Sequence, residues 1–343
     1  MFNNISKLFF FFMVIFSTLI SISANSWFTV WMGLEINLLS FIPLMTSSYN
    51  SSSSEASLKY FIIQAFASSL LLFFIIFFML KSNLVMEIEY LNNFNFLIYL
   101  SLMIKLGAAP FHFWFPNVME GLTWMNSLIL MTWQKIAPMM IISYSLFNNM
   151  ITIIIIFSII VGSIGGLNQT SLRKIMTFSS INHMGWMLTA LFFNESLWLL
   201  YFFIYSILNM SLIFLFHNMK IFYLNQMFSI FMNSYLIKFI FLINFLSLGG
   251  LPPFLGFFPK WMIIQSLSNI NQNFLILIMM MMTLITLFFY LRISFSAFML
   301  NYENMKWNYQ LNLNIYVYLF LISMTTLSLT SLMMIMFLLF YLM

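Results

Sequence analysis

The chain has 343 residues, of which 63% are hydrophobic and 6% charged, with 12 basic against 7 acidic residues and a net charge of +5. Soluble domains carry about 25% charged residues, so this composition excludes a water-soluble fold. The small, dispersed positive balance does not indicate nucleic-acid binding. The sequence has no cysteine, which excludes disulfides and cysteine-held iron–sulfur clusters in this chain.

Apolar segments of about 20 residues, the length that crosses a hydrocarbon core about 30 Å thick, recur along the chain. They predict an all-α polytopic membrane protein with about eleven transmembrane helices in a single transmembrane domain over residues 1–343. The first span has a basic residue before an apolar stretch, as a signal peptide has, but a second span follows closely and favours a retained helix. The predicted spans are 4–24, 26–45, 55–80, 96–120, 122–145, 149–167, 171–193, 196–220, 235–267, 271–300 and 312–342.

Basic residues distribute unevenly between the two sides of the predicted topology. The side that carries the N-terminus holds most of them, whereas the opposite side has little beyond Lys81. Lysine and arginine mark the side from which a membrane protein is inserted. We therefore expect the N-terminus on the cytoplasmic or matrix side and, after eleven crossings, the C-terminus on the other. The residues counted on the N-terminal side are Lys7, Arg173, Lys174, Lys220, Lys238 and Lys306.

Two spans contain helix-breaking residues near their middle. The fourth is predicted to break at 107–110, which reads GAAP, and again near Pro116, and the ninth across 249–256. Proline removes a backbone donor, and adjacent glycines loosen the helix further. Irregular backbone at that depth persists only where it is buried in protein or lines a wet cavity.

Both broken spans are the fourth of a five-helix group, which predicts two repeats of opposite orientation. The first repeat covers 4–145 and the second 149–300, with an additional C-terminal helix at 312–342. Interrupted helices at matching places in inverted halves point to a transport site. The alternative is that the prolines only kink two helices, since proline and glycine are common in membrane spans.

Four ionisable side chains lie deep in predicted spans: Glu35, Lys105, Lys135 and Lys260. An ionised group at the bilayer centre costs about 2.5 to 3.5 kcal/mol on insertion scales, so such residues are rare unless function requires them. Buried lysines near a carboxylate are suited to take up and release protons as a coupled set. For Glu35 the alternative is a static structural ion pair.

Three further residues have two interpretations each. Lys59 lies four residues after Glu55, so it is either functional or part of an exposed i to i+4 ion pair. His112, between two prolines, and His183, in the seventh span, are either proton relays or structural hydrogen-bond donors. The sequence has no aspartate, no phosphate-binding glycine loop and no metalloprotease motif, which argues against nucleotide chemistry in this chain.

Five stretches resemble the NADH dehydrogenase subunit 2 family, the mitochondrially encoded, antiporter-like membrane subunits of respiratory complex I. The resemblance covers nearly the whole chain and implies the same eleven-helix topology. The stretches are 31–37 (WMGLEIN), 55–61 (EASLKYF), 105–114 (KLGAAPFHFW), 165–170 (GGLNQT) and 248–254 (LGGLPPF).

The resemblance implies roles for the charged residues. Glu35 matches the glutamate paired with the lysine of the first broken helix, here Lys105. Lys59 matches a lysine on the helix after that glutamate, Lys135 the central lysine, and Lys260 the lysine of the second broken helix. The roles of His112 and His183 carry over only weakly.

The resemblance also implies a setting in the inner mitochondrial membrane, with the N-terminus in the matrix and the C-terminus in the intermembrane space. Other subunits would bind NADH, FMN, iron–sulfur clusters and ubiquinone, and this chain no cofactor or metal. Its partners would be membrane-arm and accessory subunits and lipids, including cardiolipin. The expected function is proton translocation driven by redox chemistry elsewhere; a stand-alone cation/proton antiporter and a non-pumping scaffold are the alternatives.

Overall fold

The fold is all-α throughout the part of the chain that the computed structural model describes. Those residues are 5–47, 50–82, 88–144, 148–231 and 235–299, with the pairs 322–323, 325–326 and 328–329. They contain one isolated β-bridge, between Ser171 and Tyr223, and no strand. The predicted span 312–342 lies, apart from the three pairs, outside the described residues.

The described residues form fourteen helices, several of which begin or end at recognisable sequence signals. Ser26 caps the second helix: its hydroxyl accepts a hydrogen bond from the Thr29 amide, and the Thr29 hydroxyl lies 3.4 Å from the Ser26 amide, a reciprocal capping arrangement. The helices are α1 (Ile5–Ile22), α2 (Trp27–Met45), α3 (Ser51–Ser82), α4 (Ile88–Leu106), α5 (Trp114–Gly121), α6 (Trp124–Met131), α7 (Trp133–Tyr144), α8 (Asn148–Gly165), α9 (Leu172–Phe193), α10 (Glu195–Met219), α11 (Leu224–Phe231), α12 (Tyr235–Gly249), α13 (Phe257–Asn269) and α14 (Asn273–Met299).

Many of these helices have the length and apolar composition of membrane spans. Within the described residues, five are long and apolar enough to cross a bilayer by themselves, in α1, α2, α3, α10 and α14. Shorter apolar helices lie at Phe96–Leu106, Met150–Gly165 and Ile237–Gly249. The all-α membrane class is therefore confirmed, while eleven crossings stay a prediction.

The contacts of the chain divide it into two compact units, residues 1–158 and 159–343. In the first unit, α1 packs along α2, and α3 packs against α2, α4 and α5. Polar side chains connect these helices: the Trp31 indole donates to the Ser68 carbonyl at 3.0 Å, and the Asn126 amide to the Leu44 carbonyl at 2.7 Å.

The second unit is described by itself. Its α9 packs against α10 and α13, and α12 packs against α10 and α14. Between α12 and α13 the backbone amide of Leu255 donates to the carbonyl of Ser328 at 3.2 Å. A residue of the predicted C-terminal helix therefore contacts the loop inside the ninth predicted span.

Both predicted breaks are present, and the structure corrects their surroundings. The fourth span is interrupted at 107–113 and the ninth at 250–256. The prediction of a further break near Pro116 is wrong, because Pro116 lies in the first turn of α5, where its missing amide costs no hydrogen bond. The fourth span also begins earlier than predicted, since α4 starts at Ile88 rather than at 96.

Two features were not predicted. The fifth span, expected to be continuous over 122–145, is interrupted at Thr132, whose hydroxyl donates to the Leu128 carbonyl at 2.7 Å. Such a hydrogen bond to the residue four positions earlier bends helices. The predicted loop 221–234 contains the short helix α11.

Candidate functional site

The first broken helix ends in a Schellman motif centred on Gly107. Gly107 has φ of +69°, a left-handed conformation that favours glycine. Its amide donates to the Ile104 carbonyl at 3.2 Å, and the Ala108 amide donates to the Met103 carbonyl at 3.3 Å. The chain thus satisfies part of the helix end through its own backbone.

Two neutral side chains also donate to carbonyls at this helix end. The Gln64 amide, on α3, donates to the Lys105 carbonyl at 3.1 Å. The Trp114 indole, at the start of α5, donates to the Ile104 carbonyl at 3.2 Å. The Lys105 ammonium is therefore not required to cap its own helix.

Lys105 and Lys135 line one cavity in the first unit. The cavity has a volume of about 30 Å³, which is room for about two water molecules at roughly 10 to 15 Å³ each. Both lysines are buried, Lys135 with 2% of its surface exposed. The Lys135 ammonium also lies 5.5 Å from the centre of the Phe115 ring.

Polar groups from three helices complete the cavity wall. Asn37 comes from α2, Tyr60 and Gln64 come from α3, and Gln134 comes from α7. The Gln134 amide donates to the Asn37 side-chain oxygen at 2.9 Å, which connects α7 to α2. With two amines, three amides and a phenol, this wall offers water the two to four polar partners that it needs.

Glu35 lies near this site without forming an ion pair with Lys105. One of its carboxylate oxygens, Oε2, is buried and has no hydrogen-bond partner among the described residues. No ion pair within 4.0 Å joins Glu35 to Lys105 in that part of the chain. Its neighbour along the chain, Leu34, lines the cavity together with Lys105. The pairing of Glu35 with Lys105 that the resemblance implies therefore stays a prediction.

The second broken helix has the same backbone ending and a different cap. Gly250 has φ of +80°, and its amide and that of Leu251 donate to the Leu246 carbonyl at 3.1 and 3.3 Å. Here Lys260, from α13, turns back to the break. Its buried ammonium donates to the Gly249 carbonyl at 2.8 Å and lies 3.4 Å from that of Leu248.

The surroundings of Lys260 hold its side chain in this position. Its ammonium lies 5.9 Å from the centre of the buried Trp186 ring. A Cβ on Gly250 would come within 2.8 Å of the ammonium nitrogen. The glycine therefore permits both the left-handed turn and the close approach of the lysine.

The remaining predicted residues lie apart from the two lysines of the cavity. The imidazole of His112 contacts the Pro110 carbonyl at 3.2 Å through Nδ1, and that of His183 contacts the Tyr201 hydroxyl at 2.8 Å in the second unit. Lys59, with 48% of its side chain exposed, binds Glu55 at 2.6 Å. This is the i to i+4 pair that the sequence left open for Lys59.

Sequence reasoning did not single out the polar residues of the cavity wall. Asn37, Gln64 and Gln134 were recognisable only as amides inside apolar spans, which is a weak signal. Lys238 was counted among the residues of the N-terminal side, but it is buried on α12. No group of three or more metal-binding side chains occurs in the residues that the structure describes.

Comparisons with known proteins agree on one family. Residues 24–286 match the family model of the NADH:quinone oxidoreductase/Mrp antiporter membrane region. The NADH-ubiquinone oxidoreductase chain 2 of Anopheles gambiae is 54% identical over 89% of each chain. That of Locusta migratoria is 46% identical over 90% of each chain, and that of Equus asinus 38% identical over 87% of this chain and 88% of the relative.

Solved structures share the fold at low sequence identity. A chain of respiratory complex I from Thermus thermophilus, solved with bound aureothin, matches 96% of this chain and 78% of its own length, with a TM-score of 0.84 and 20% identity. A chain of the Mrp complex from Dietzia matches 84% of this chain and 60% of its own, with a TM-score of 0.72 and 17% identity.

Proposed function

Because this chain belongs to the NADH-ubiquinone oxidoreductase chain 2 family, we propose that it is a proton-translocating membrane subunit of complex I. The observation that carries the proposal is the cavity that Lys105 and Lys135 line together. Two buried amines and space for water are what a proton needs to move between fixed sites inside a membrane protein.

The two lysines act as a coupled pair in this proposal. Two positive charges that share one buried site disfavour each other, so protonation of one lysine promotes release from the other. Glu35 is the acidic partner of Lys105 in this proposal, and a change in its charge or distance would alter how protons divide between the two lysines. Lys260 provides a further proton site within the second unit. The roles of Lys59 and His112 in the first unit, and of His183 in the second, stay predictions from sequence.

The redox chemistry belongs to other subunits in this proposal. NADH, FMN, iron–sulfur clusters and ubiquinone are bound there, and the lack of cysteine in this chain supports that division. The other membrane-arm and accessory subunits are its partners, together with lipids that include cardiolipin. The setting is the inner mitochondrial membrane, with the N-terminus in the matrix and the C-terminus in the intermembrane space.

The test is to separate proton pumping from NADH oxidation in the assembled complex. Lys105→Met and Glu35→Gln should lower the number of protons moved per NADH oxidised while the complex still assembles, measured in sealed membrane vesicles with a pH-sensitive dye. Lys220→Gln serves as a control, since Lys220 is an exposed residue at the end of α10. Undiminished pumping in both cavity variants would contradict the proposal.

The two alternatives predict other results. A stand-alone antiporter would exchange Na⁺ or K⁺ for protons when this chain alone is reconstituted in vesicles. If this chain is a non-pumping scaffold, the assembled complex should pump protons normally after Lys135→Met. The polar wall of the cavity argues against the dry interior that a scaffold predicts.

A further inference from the structure

We infer that Gln64 is a positioning residue for Lys105, because its amide caps the broken end of α4 and thereby leaves the Lys105 ammonium to the cavity. The inference rests on the proposed role of Lys105 in proton transfer. It assigns a role to a residue on α3 that the predicted proton sites do not include.

The geometry of Gln64 supports this role. Gln64 is buried with 5% of its surface exposed, and it stands 41 residues before the carbonyl that it binds at 3.1 Å. A buried side-chain amide that reaches another helix satisfies a carbonyl which the break would otherwise leave without a donor. Gln64 also lines the cavity beside Lys105 and Lys135, so it contacts both the break and the proton site.

The second unit contains the same helix end with a lysine in place of the amide. There the corresponding carbonyl, that of Leu248, has the Lys260 ammonium at 3.4 Å, and the next carbonyl accepts a hydrogen bond from it at 2.8 Å. Lysine side chains near a helix C-terminus bind its last carbonyls readily. Lys105 lies in the last turn of α4, so a carbonyl that lost its donor there would favour the positive charge of Lys105.

Two substitutions at Gln64 should move the pH dependence of pumping in opposite directions. Gln64→Met removes the donor and keeps the length, so the uncapped carbonyl favours the charge of Lys105, which then holds its proton more tightly. The profile should move to higher pH by on the order of one unit. Gln64→Lys places a second ammonium beside Lys105, which disfavours its charge, and should move the profile to lower pH.

The experiment uses the assembled complex in sealed vesicles. It records the number of protons pumped per NADH oxidised between about pH 6 and pH 9, a range that covers a displacement in either direction. Ser68→Ala is the matched control, because Ser68 is a buried polar residue one turn further along α3 whose hydroxyl binds only the Ala65 carbonyl at 2.9 Å. Its profile should stay unchanged. A merely structural role for Gln64 would lower activity without moving the profile.

The outcomes separate the inference from the proposed function. Opposite displacements for the two variants would support the positioning role. Gln64→Met carries the test, because the added charge alone would move the Gln64→Lys profile, and Gln64→Leu, which also lacks the donor, replaces Gln64→Met if that variant does not assemble. Unmoved profiles, or displacements in the same direction, would overturn it. Normal pumping in Lys105→Met would instead overturn the role of Lys105 on which the inference rests.

Discussion

The two broken helices end in the same backbone motif, but different chemistry completes them. At the first break, two neutral donors, Gln64 and Trp114, bind the carbonyls of the last turn. At the second, the ammonium of Lys260 binds them. Lys105 therefore faces a cavity with its charge available, whereas Lys260 is engaged with the helix end.

This difference teaches that a lysine beside a helix break has two physical roles that sequence position alone does not separate. A positive charge at a helix C-terminus is stabilised by the aligned peptide dipoles. The protonated Lys260 amine donates to the carbonyls at the end of α12, so the release of its proton must weaken these hydrogen bonds. For Lys105 the backbone is complete without the ammonium, so proton exchange needs no change at the break.

The largest expected effect comes from removing Lys260, and the same substitution at Lys105 provides the contrast. Lys260→Met should weaken the second break by about 2 kcal/mol, because the buried Gly249 and Leu248 carbonyls lose their donor. Lys105→Met should leave the first break as stable or more stable, because its carbonyls keep their caps and a buried charge is removed. Hydrogen–deuterium exchange of the amides of residues 250–251 and 107–108 in the assembled complex measures both.

A weakening of about 2 kcal/mol corresponds to roughly 30-fold faster exchange when it acts on local opening. We expect this at residues 250–251 in the Lys260 variant and no acceleration at 107–108 in the Lys105 variant. Equal acceleration at the two breaks would remove the distinction between the two lysines.

The next effect comes from the glycines. Gly250→Ala and Gly107→Ala each force an alanine into a left-handed conformation at a cost of about 1 to 2 kcal/mol. Only at Gly250 does the new methyl group meet an ammonium, at 2.8 Å; at Gly107 it meets the Trp114 ring at 3.1 Å. Gly250→Ala should therefore displace Lys260 and reduce pumping more than Gly107→Ala does.

Gly249→Ala is the control for this pair. Gly249 lies inside α12, and a Cβ there would find its nearest neighbour, the Tyr290 ring, at 3.5 Å. It should keep both assembly and pumping. If Gly249→Ala and Gly250→Ala had the same effect, the close approach of Lys260 would not be the cause.

The smallest effect is expected from Trp114→Phe, which removes one neutral cap of the first break. The Ile104 carbonyl keeps its hydrogen bond from the Gly107 amide, so the loss should be about 1 kcal/mol, read as modestly faster exchange at 107–108. Trp133→Phe is the control, because the Trp133 indole nitrogen has no partner in the described structure. An equal effect from Trp133→Phe at residues 107–108 would show that the response does not depend on the hydrogen bond from Trp114.

The sequence predicted the class of fold and the two breaks because glycine and proline act locally. Gly107 and Gly250 are needed at left-handed positions, and a local requirement of this kind is visible in a single sequence. At the interruption of the fifth span, the Thr132 hydroxyl donates to a carbonyl of its own helix. The same residue fits inside a continuous helix, so its presence did not predict the interruption.

The candidate site was predicted in part for the same reason. Lys105, Lys135 and Lys260 were identified because charge inside an apolar span is rare. Which of them share a cavity depends on how α4 and α7 pack. The amide that caps α4 belongs to Gln64, which lies 41 residues before Lys105 in the chain. Pairings over such separations are set by tertiary packing, which periodicity does not report.

Because the Leu255 amide donates to the Ser328 carbonyl, the loop between α12 and α13 obtains all its hydrogen bonds only after residue 328 has been synthesised. The loop that needs this acceptor is synthesised some seventy residues before the acceptor itself. A polypeptide that stops short of residue 328 would leave a buried amide without its acceptor, at a cost of about 1 to 3 kcal/mol. In such a product the loop beside Lys260 would open more often than in the chain that includes residue 328. A protease that cleaves locally opened segments would therefore degrade it faster.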